Sequence, residues 1–179
     1  MINSVVDAFE KGKKKAYLSE KMSKLINDLI AAELNASQLY RAMASWAEYT
    51  GYEGLAKMMG KHTEEERGHM RKLYAYALDR QCHPTTPMVK EQPKGFTGFK
   101  DVLDKALAHE EMVEATYKKA AKSAWDDQDI TTFSFFQWFV NEQVEEIKLF
   151  SGLLDRLEVV GNDAKGAYFI DLEILEKFE

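Results

Sequence analysis

Little in this chain would brace it covalently, and little would break it often. Its 179 residues include a single cysteine, Cys82, so neither an internal disulfide nor a CxxC zinc site can form, and a reducing compartment is expected. Three prolines and ten glycines are too few for a sandwich of many short strands. No apolar run approaches the roughly 18 residues of a membrane span. In MINSVVDAFEKGKKKAYLSEK the basic cluster follows a mildly apolar stretch instead of preceding it, so no signal peptide is expected and the location expected is cytoplasmic. What the chain does have is 45% hydrophobic residues, enough for the core of one domain, and 30% charged residues, which suit long helices.

The charge is uneven. Residues 1–24 hold six lysines against three acidic residues, whereas the remainder holds 18 basic against 27 acidic. An acidic body repels nucleic acid and attracts cations, and Lys13-Lys14-Lys15 is expected to be a solvated tail. Two parts are therefore expected: a basic extension over 1–21 and a helical domain over 22–179.

Apolar residues from Met22 to Ala47 recur every three or four positions, which predicts a helix from Met22 to about Thr50. Gly51-Tyr52-Glu53-Gly54 breaks it, and a second stripe runs from Leu55 to about Arg80. All three prolines fall between Cys82 and Gly98, a long non-helical connection. A third helix is predicted from Phe99 to the Asp126–Asp129 break, a fourth from Ile130 to Val160, then a loop over Gly161–Gly166 and a short helix from Tyr168 to Phe178. Two helical hairpins joined by one long crossover make an all-α four-helix bundle with a short fifth helix.

Several polar residues sit where the core should be. Glu33 shares its helix face with Leu29 and Tyr40; the same test puts Glu66, His69, Glu110, Gln143 and Glu146 on inward stripes. Such side chains are rarely buried without a partner or a metal. Adding 77 to Glu33, Tyr40, Glu66 and His69 gives Glu110, Tyr117, Gln143 and Glu146, so the hairpins repeat one pattern. Each set lies about 16 residues, or ~24 Å, from its turn, which places all six side chains in one layer. Four carboxylates together repel and hold protons unless cations cancel them. Two divalent ions balance that charge, and oxygen ligands with one imidazole suit iron or manganese. The competing account is a buried hydrogen-bonded network in a structural or DNA-protecting shell without di-iron catalysis.

Glu33-(x6)-Tyr40, Glu65-Glu66-Arg67-Gly68-His69, His109-Glu110, the run from Trp138 to Glu146 and Tyr168-Phe169-Ile170-Asp171 resemble a non-haem bacterial ferritin over about residues 22–175. The resemblance implies a ferritin-like bundle that oxidises Fe(II) with O2 or peroxide and stores ferric mineral in a hollow 24-subunit homo-oligomeric shell. It implies a first iron on Glu33, Glu66 and His69, and a second on Glu110 and Glu146 with Glu66 bridging. Gln143 then stands beside the second iron, Tyr40 and Trp138 are the redox-active aromatics, and Glu65, Glu142, Glu145 and Glu146 form a third site. A bacterioferritin carries a haem-ligating Met where this chain has Arg67, and a second Glu-x-x-His where it has Gln143-x-x-Glu146, so no haem is expected. One cysteine excludes the added iron of a rubrerythrin, and the DNA-coating mini-ferritins lack the fourth-helix set. His62 is expected to be a core histidine or one standing behind the ligands, and His109 a surface or subunit contact, while Tyr49, Tyr52 and Tyr74 are expected on helix surfaces.

Overall fold

The computed structural model describes residues 15–178. Five helices account for most of them: α1 (Glu20–Thr50), α2 (Glu53–Asp79), α3 (Phe99–Asp126), α4 (Ile130–Val160) and α5 (Ala164–Lys177). α1 packs along α2 and α3 along α4, giving two antiparallel hairpins, and α5 lies across α2 and α4.

The helix ends follow from local chemistry. Ser19 caps α1 by accepting the Met22 N–H at 3.1 Å. Gly51 ends α1 at a positive φ of 87°, where a residue with a Cβ is strained. Asp129 opens α4 by accepting the Thr132 N–H at 3.0 Å. Asp163 accepts the N–H groups of Lys165 and Gly166, both at 2.9 Å, so α5 begins at Ala164 and takes in residues expected to be loop. Tyr52 turns inward against Trp46 and Phe99, contrary to the surface position expected of it, because the short turn folds it over the bundle end. Tyr49 is 91% exposed.

Of the basic extension, Lys13 and Lys14 lie outside the described residues. Residues 15–19 pack at the far end of the bundle, where the Tyr17 N–H reaches the Arg80 carbonyl at 3.0 Å and Leu18 is buried. The crossover between α2 and α3 is tied to α1 twice. Asn27 accepts the Thr85 N–H at 2.7 Å and Asn35 the Lys90 N–H at 2.8 Å.

The apolar core comes in two halves. One contains Tyr40–Ala47 of α1, Leu55–Met59 of α2, Phe99–Ala106 of α3 and Phe150–Leu157 of α4. The other contains Met22–Ile30, Leu73–Ala77, Val113–Ala124 and Phe136–Phe139 of the same helices. Each of α1–α4 therefore has a gap between its two core stretches, and the polar residues of the inward stripes fall in those gaps. Among the described residues, no helix is long and apolar enough to cross a membrane.

Candidate metal centre

Each helix brings its own part of the central layer. Glu33 of α1 is 2% exposed, Glu66 of α2 is 5% and Glu110 of α3 is 1%. His69, one turn beyond Glu66, turns its Nδ1 to Glu66 Oε2 at 3.1 Å and to Glu33 Oε2 at 3.7 Å. Ligands at about 2.1 Å from one cation stand about 3.0–3.4 Å from each other, so the three groups are spaced close to the edges of a coordination shell. Donor atoms of Glu33, Glu66 and His69 all lie within 4.8 Å of one another.

Two tyrosines hold the outer carboxylates. Tyr117 of α3 donates its hydroxyl to Glu33 Oε1, and Tyr40 of α1 donates to Glu110 Oε1. Gln143 of α4 donates its amide N–H to Glu110 Oε2, so in this arrangement the amide orients a carboxylate. Tyr117 and Tyr40 are both buried, and burial together with the adjacent carboxylates holds their hydroxyls protonated well above the usual range.

The electrostatics favour a cation. Burial pushes the Glu66 carboxyl well above the ordinary carboxylate range, and the Glu33 charge pushes it further. Burial also opposes ionisation of Glu33, but His69 and the Tyr117 hydroxyl bring that carboxyl below its ordinary value. Burial would lower His69, yet Glu33 and Glu66 outweigh it and raise the imidazole to about 10. Glu33 Oε2 is buried with no hydrogen-bond partner, an open acceptor for which a cation is the fitting occupant. Oxygen donors with a single imidazole match a hard or borderline dication such as Fe(II).

Glu146 faces a different neighbour. Its Oε2 lies 3.5 Å from His62 Nδ1, which is 3.2 Å from Glu65 Oε2. The structure brings Glu65 and Glu146 together around His62, whereas Glu142 is half-buried and Glu145 exposed, both outside these groups. Trp138 stands edge-on to His69 with ring centroids 5.4 Å apart. Arg67 points outward and pairs with Glu64 at 3.2 Å.

Tyr117 is visible in the sequence only as the 77-residue twin of Tyr40, and its hold on Glu33 is not; His62 is buried, 3% exposed, as expected of a core histidine. His109 is not a plain surface residue, because its ring meets Tyr40 edge-on at 5.9 Å.

A model of the ferritin-like domain matches residues 23–160. Over 157 residues the chain is 34% identical to a probable bacterial non-heme ferritin-like protein of Haemophilus influenzae, covering 88% of this chain and 95% of that one. A bacterial non-heme ferritin of Escherichia coli O6:H1 is 33% identical over the same shares of the two chains. Among solved structures, an open pore ferritin of Archaeoglobus fulgidus superimposes with a TM-score of 0.85 at 28% identity, over 88% of this chain and 98% of the other. Sequence and architecture agree, and the chain belongs to the ferritin family.

Proposed function

We propose that this protein takes up Fe(II), oxidises it with dioxygen or peroxide, and keeps the ferric product inside a shell built from copies of the chain. Iron is substrate and cargo in this reaction. The observation that carries the reading is the buried layer of Glu33, Glu66, His69 and Glu110, which interrupts the apolar core and leaves Glu33 Oε2 without a donor. The names of the relatives, bacterial non-heme ferritins, support iron storage.

Glu33 and His69 hold the first Fe(II). Glu66 lies within the electrostatic reach of both Glu33 and Glu110, which suits a bridge to the second. Glu110, oriented by Tyr40 and Gln143, and Glu146 serve that second position. Each Fe(II) gives one electron to the oxidant, and the anionic oxygens are better ligands for the more highly charged product. Gln143 stands at the second position with an uncharged amide where the repeat puts a carboxylate, so iron binds there more weakly and leaves as ferric iron toward the acidic residues beside it, Glu65, Glu142 and Glu145. No haem has a part in this scheme.

Assembly is supported by apolar surface on α5, where Tyr168 and Phe169 are 58% and 62% exposed. Light scattering should give a particle of several hundred kilodaltons, as a 24-subunit shell requires; a monomer or dimer would exclude storage. The oxidation itself is tested by mixing Fe(II) with oxygenated protein and following ferric absorbance. His69→Ala should lose the fast phase, and rapid oxidation unchanged in that variant would reject the centre.

A further inference from the structure

The segment before α1 is tied to the far end of the bundle. The Tyr17 N–H reaches the Arg80 carbonyl at 3.0 Å, and the Arg80 guanidinium donates to the Tyr17 carbonyl at 3.2 Å and lies 5.5 Å over the tyrosine ring. Leu18 is buried, and Lys21 pairs with Asp127 of the α3–α4 turn at 3.1 Å. The segment therefore touches both hairpins, and residues 1–14 start from this end. Four large apolar side chains stand there more than half exposed: Tyr17 at 56%, Leu78 of α2 at 55%, Trp125 of α3 at 57% and Ile130 of α4 at 57%. Exposed apolar groups gathered in one region mark a contact surface. Its edge is acidic, since Glu20, Asp79, Asp126 and Asp127 are all exposed.

The sequence that begins here carries the complementary pattern. Ile2, Val5, Val6 and Phe9 recur at the spacing of one helical face, and Lys11, Lys13, Lys14 and Lys15 follow. A stripe this short does not hold a helix in water by itself, so it needs a surface to form on. The tether keeps such a surface at a millimolar effective concentration, because Phe9 is only eight residues from the anchored Tyr17. Eight residues span up to about 28 Å, enough to cross the end of a bundle whose helices stand about 10 Å apart. A solvated tail accounts for the lysines but leaves two apolar sets in water, one on the segment and one on the bundle.

We propose that residues 1–14 dock on this end of their own bundle, with Ile2, Val5, Val6 and Phe9 covering Tyr17, Trp125 and Ile130 and the lysines facing the acidic edge. Trp125 and Ile130 belong to the second hairpin, whereas Tyr17 is strapped to the end of the first, so the docked segment closes the seam between them. The lysine side chains keep their charged ends in water at the rim, where they meet exposed carboxylates. Nothing in this contact depends on iron or on the central layer.

Disulfide trapping in the full chain tests the contact. Cys82→Ala removes the native thiol, and Phe9→Cys is combined either with Ile130→Cys or with Ala75→Cys, an exposed position on α2 within two turns of Arg80 that an undocked segment reaches as easily. Mild oxidation should link positions 9 and 130 within one chain, seen as a faster monomer on a non-reducing gel, and leave the pair at 9 and 75 open. Trapping at both positions alike, or at neither, would describe a free tail, and a linked dimer would give the surface to a second copy; each overturns the proposal. Hydroxyl-radical footprinting reads the same contact without added thiols. Val6→Asp combined with Phe9→Asp should raise labelling of Trp125 and Ile130 by about twofold or more, as covered apolar groups return to water, while Tyr49 at the opposite end keeps its labelling. Unchanged labelling at Trp125 and Ile130 would also overturn it.

Discussion

Tyr117 of α3 donates its hydroxyl to Glu33 of α1, so a residue of the second hairpin fixes a carboxylate of the first. Its twin 77 residues earlier, Tyr40, returns the arrangement by donating to Glu110. Tyr117→Phe leaves Glu33 Oε1 buried without a donor. Metal-free protein should lose about 1–3 kcal/mol by urea unfolding, the usual cost of one unsatisfied buried polar group. A saturating dication should restore part of that loss by occupying the freed oxygen. Equal unfolding midpoints for the two metal-free proteins would show that Tyr117 does not hold Glu33.

This crossed pair shows where the sequence was legible. The 77-residue offset located the polar layer because burial leaves few alternatives: an inward glutamate must meet something, and repetition located its partner. The same pattern was silent about which tyrosine reaches which carboxylate, since hydroxyl reach depends on how the hairpins dock. From the sequence His62 reads as a core histidine one turn before Glu66, with no sign of which carboxylates it meets. Only the packing of α4 beside α2 brings Glu146 to its ring. α5 starts at Ala164, four residues before the expected Tyr168, for a local reason. Two glycines around Asn162-Asp163 look like loop, but the Asp163 side chain caps the helix and Gly166 fits where a Cβ would meet the Gly161 carbonyl at 1.7 Å.

The docking of α5 gives a second prediction. Asp171 Oδ1 accepts the Leu55 N–H at 2.8 Å, so α5 caps the first turn of α2 from outside that helix. Gly54 permits the approach, because a Cβ there would lie 2.0 Å from the Asp171 carbonyl oxygen and 2.7 Å from the Leu175 nitrogen. Gly54→Ala must push α5 away and should cost about 1–3 kcal/mol, while Asp171→Ala should cost roughly 1 kcal/mol for the lost cap. Asp171→Asn, which keeps the acceptor oxygen, should cost less than Asp171→Ala. Amide hydrogen exchange should accelerate in α5 before it does so in α1 or α3. Uniform acceleration across the bundle would contradict α5 as a separately docked element.

His69 gives the metal-free protein a pH dependence of known sign. Burial would lower its pKa, but Glu33 and Glu66 raise it from 6.5 to about 10, so the native state holds a proton that the unfolded chain releases earlier. The stability it contributes is complete below 6.5 and is lost as pH climbs through about 10. Glu66, also raised, acts in the same direction. The urea midpoint of metal-free protein should therefore fall between neutral pH and the upper end of that window, and His69→Ala should flatten the fall. Because a cation takes the same lone pair, Zn(II) binding at neutral pH should release protons, seen as a heat that varies with buffer ionisation enthalpy. A flat stability profile with buffer-independent heat would show that His69 is neutral in the metal-free state.

Gln143 occupies the repeat position of Glu66 but carries an amide, and it uses the N–H side: Nε2 donates to Glu110 Oε2 and approaches the Glu110 carbonyl at 3.4 Å. Gln143→Glu would exchange that donor for a second carboxylate in a place where both groups are buried. Without metal, one of the two must hold a proton or repel the other, so the variant should lose about 1–3 kcal/mol at neutral pH, and more as pH rises. With a dication bound the added charge becomes a ligand, so the gain in melting temperature on adding metal should exceed that of the unmodified protein. Anaerobic Fe(II) titration should then show the second equivalent binding more tightly. Repeated aerobic additions should show slower growth of ferric mineral, because iron held by an extra carboxylate leaves the centre less readily. If metal-free Gln143→Glu is as stable as the parent at neutral pH and its second equivalent binds no better, the amide neither orients Glu110 nor weakens the second position.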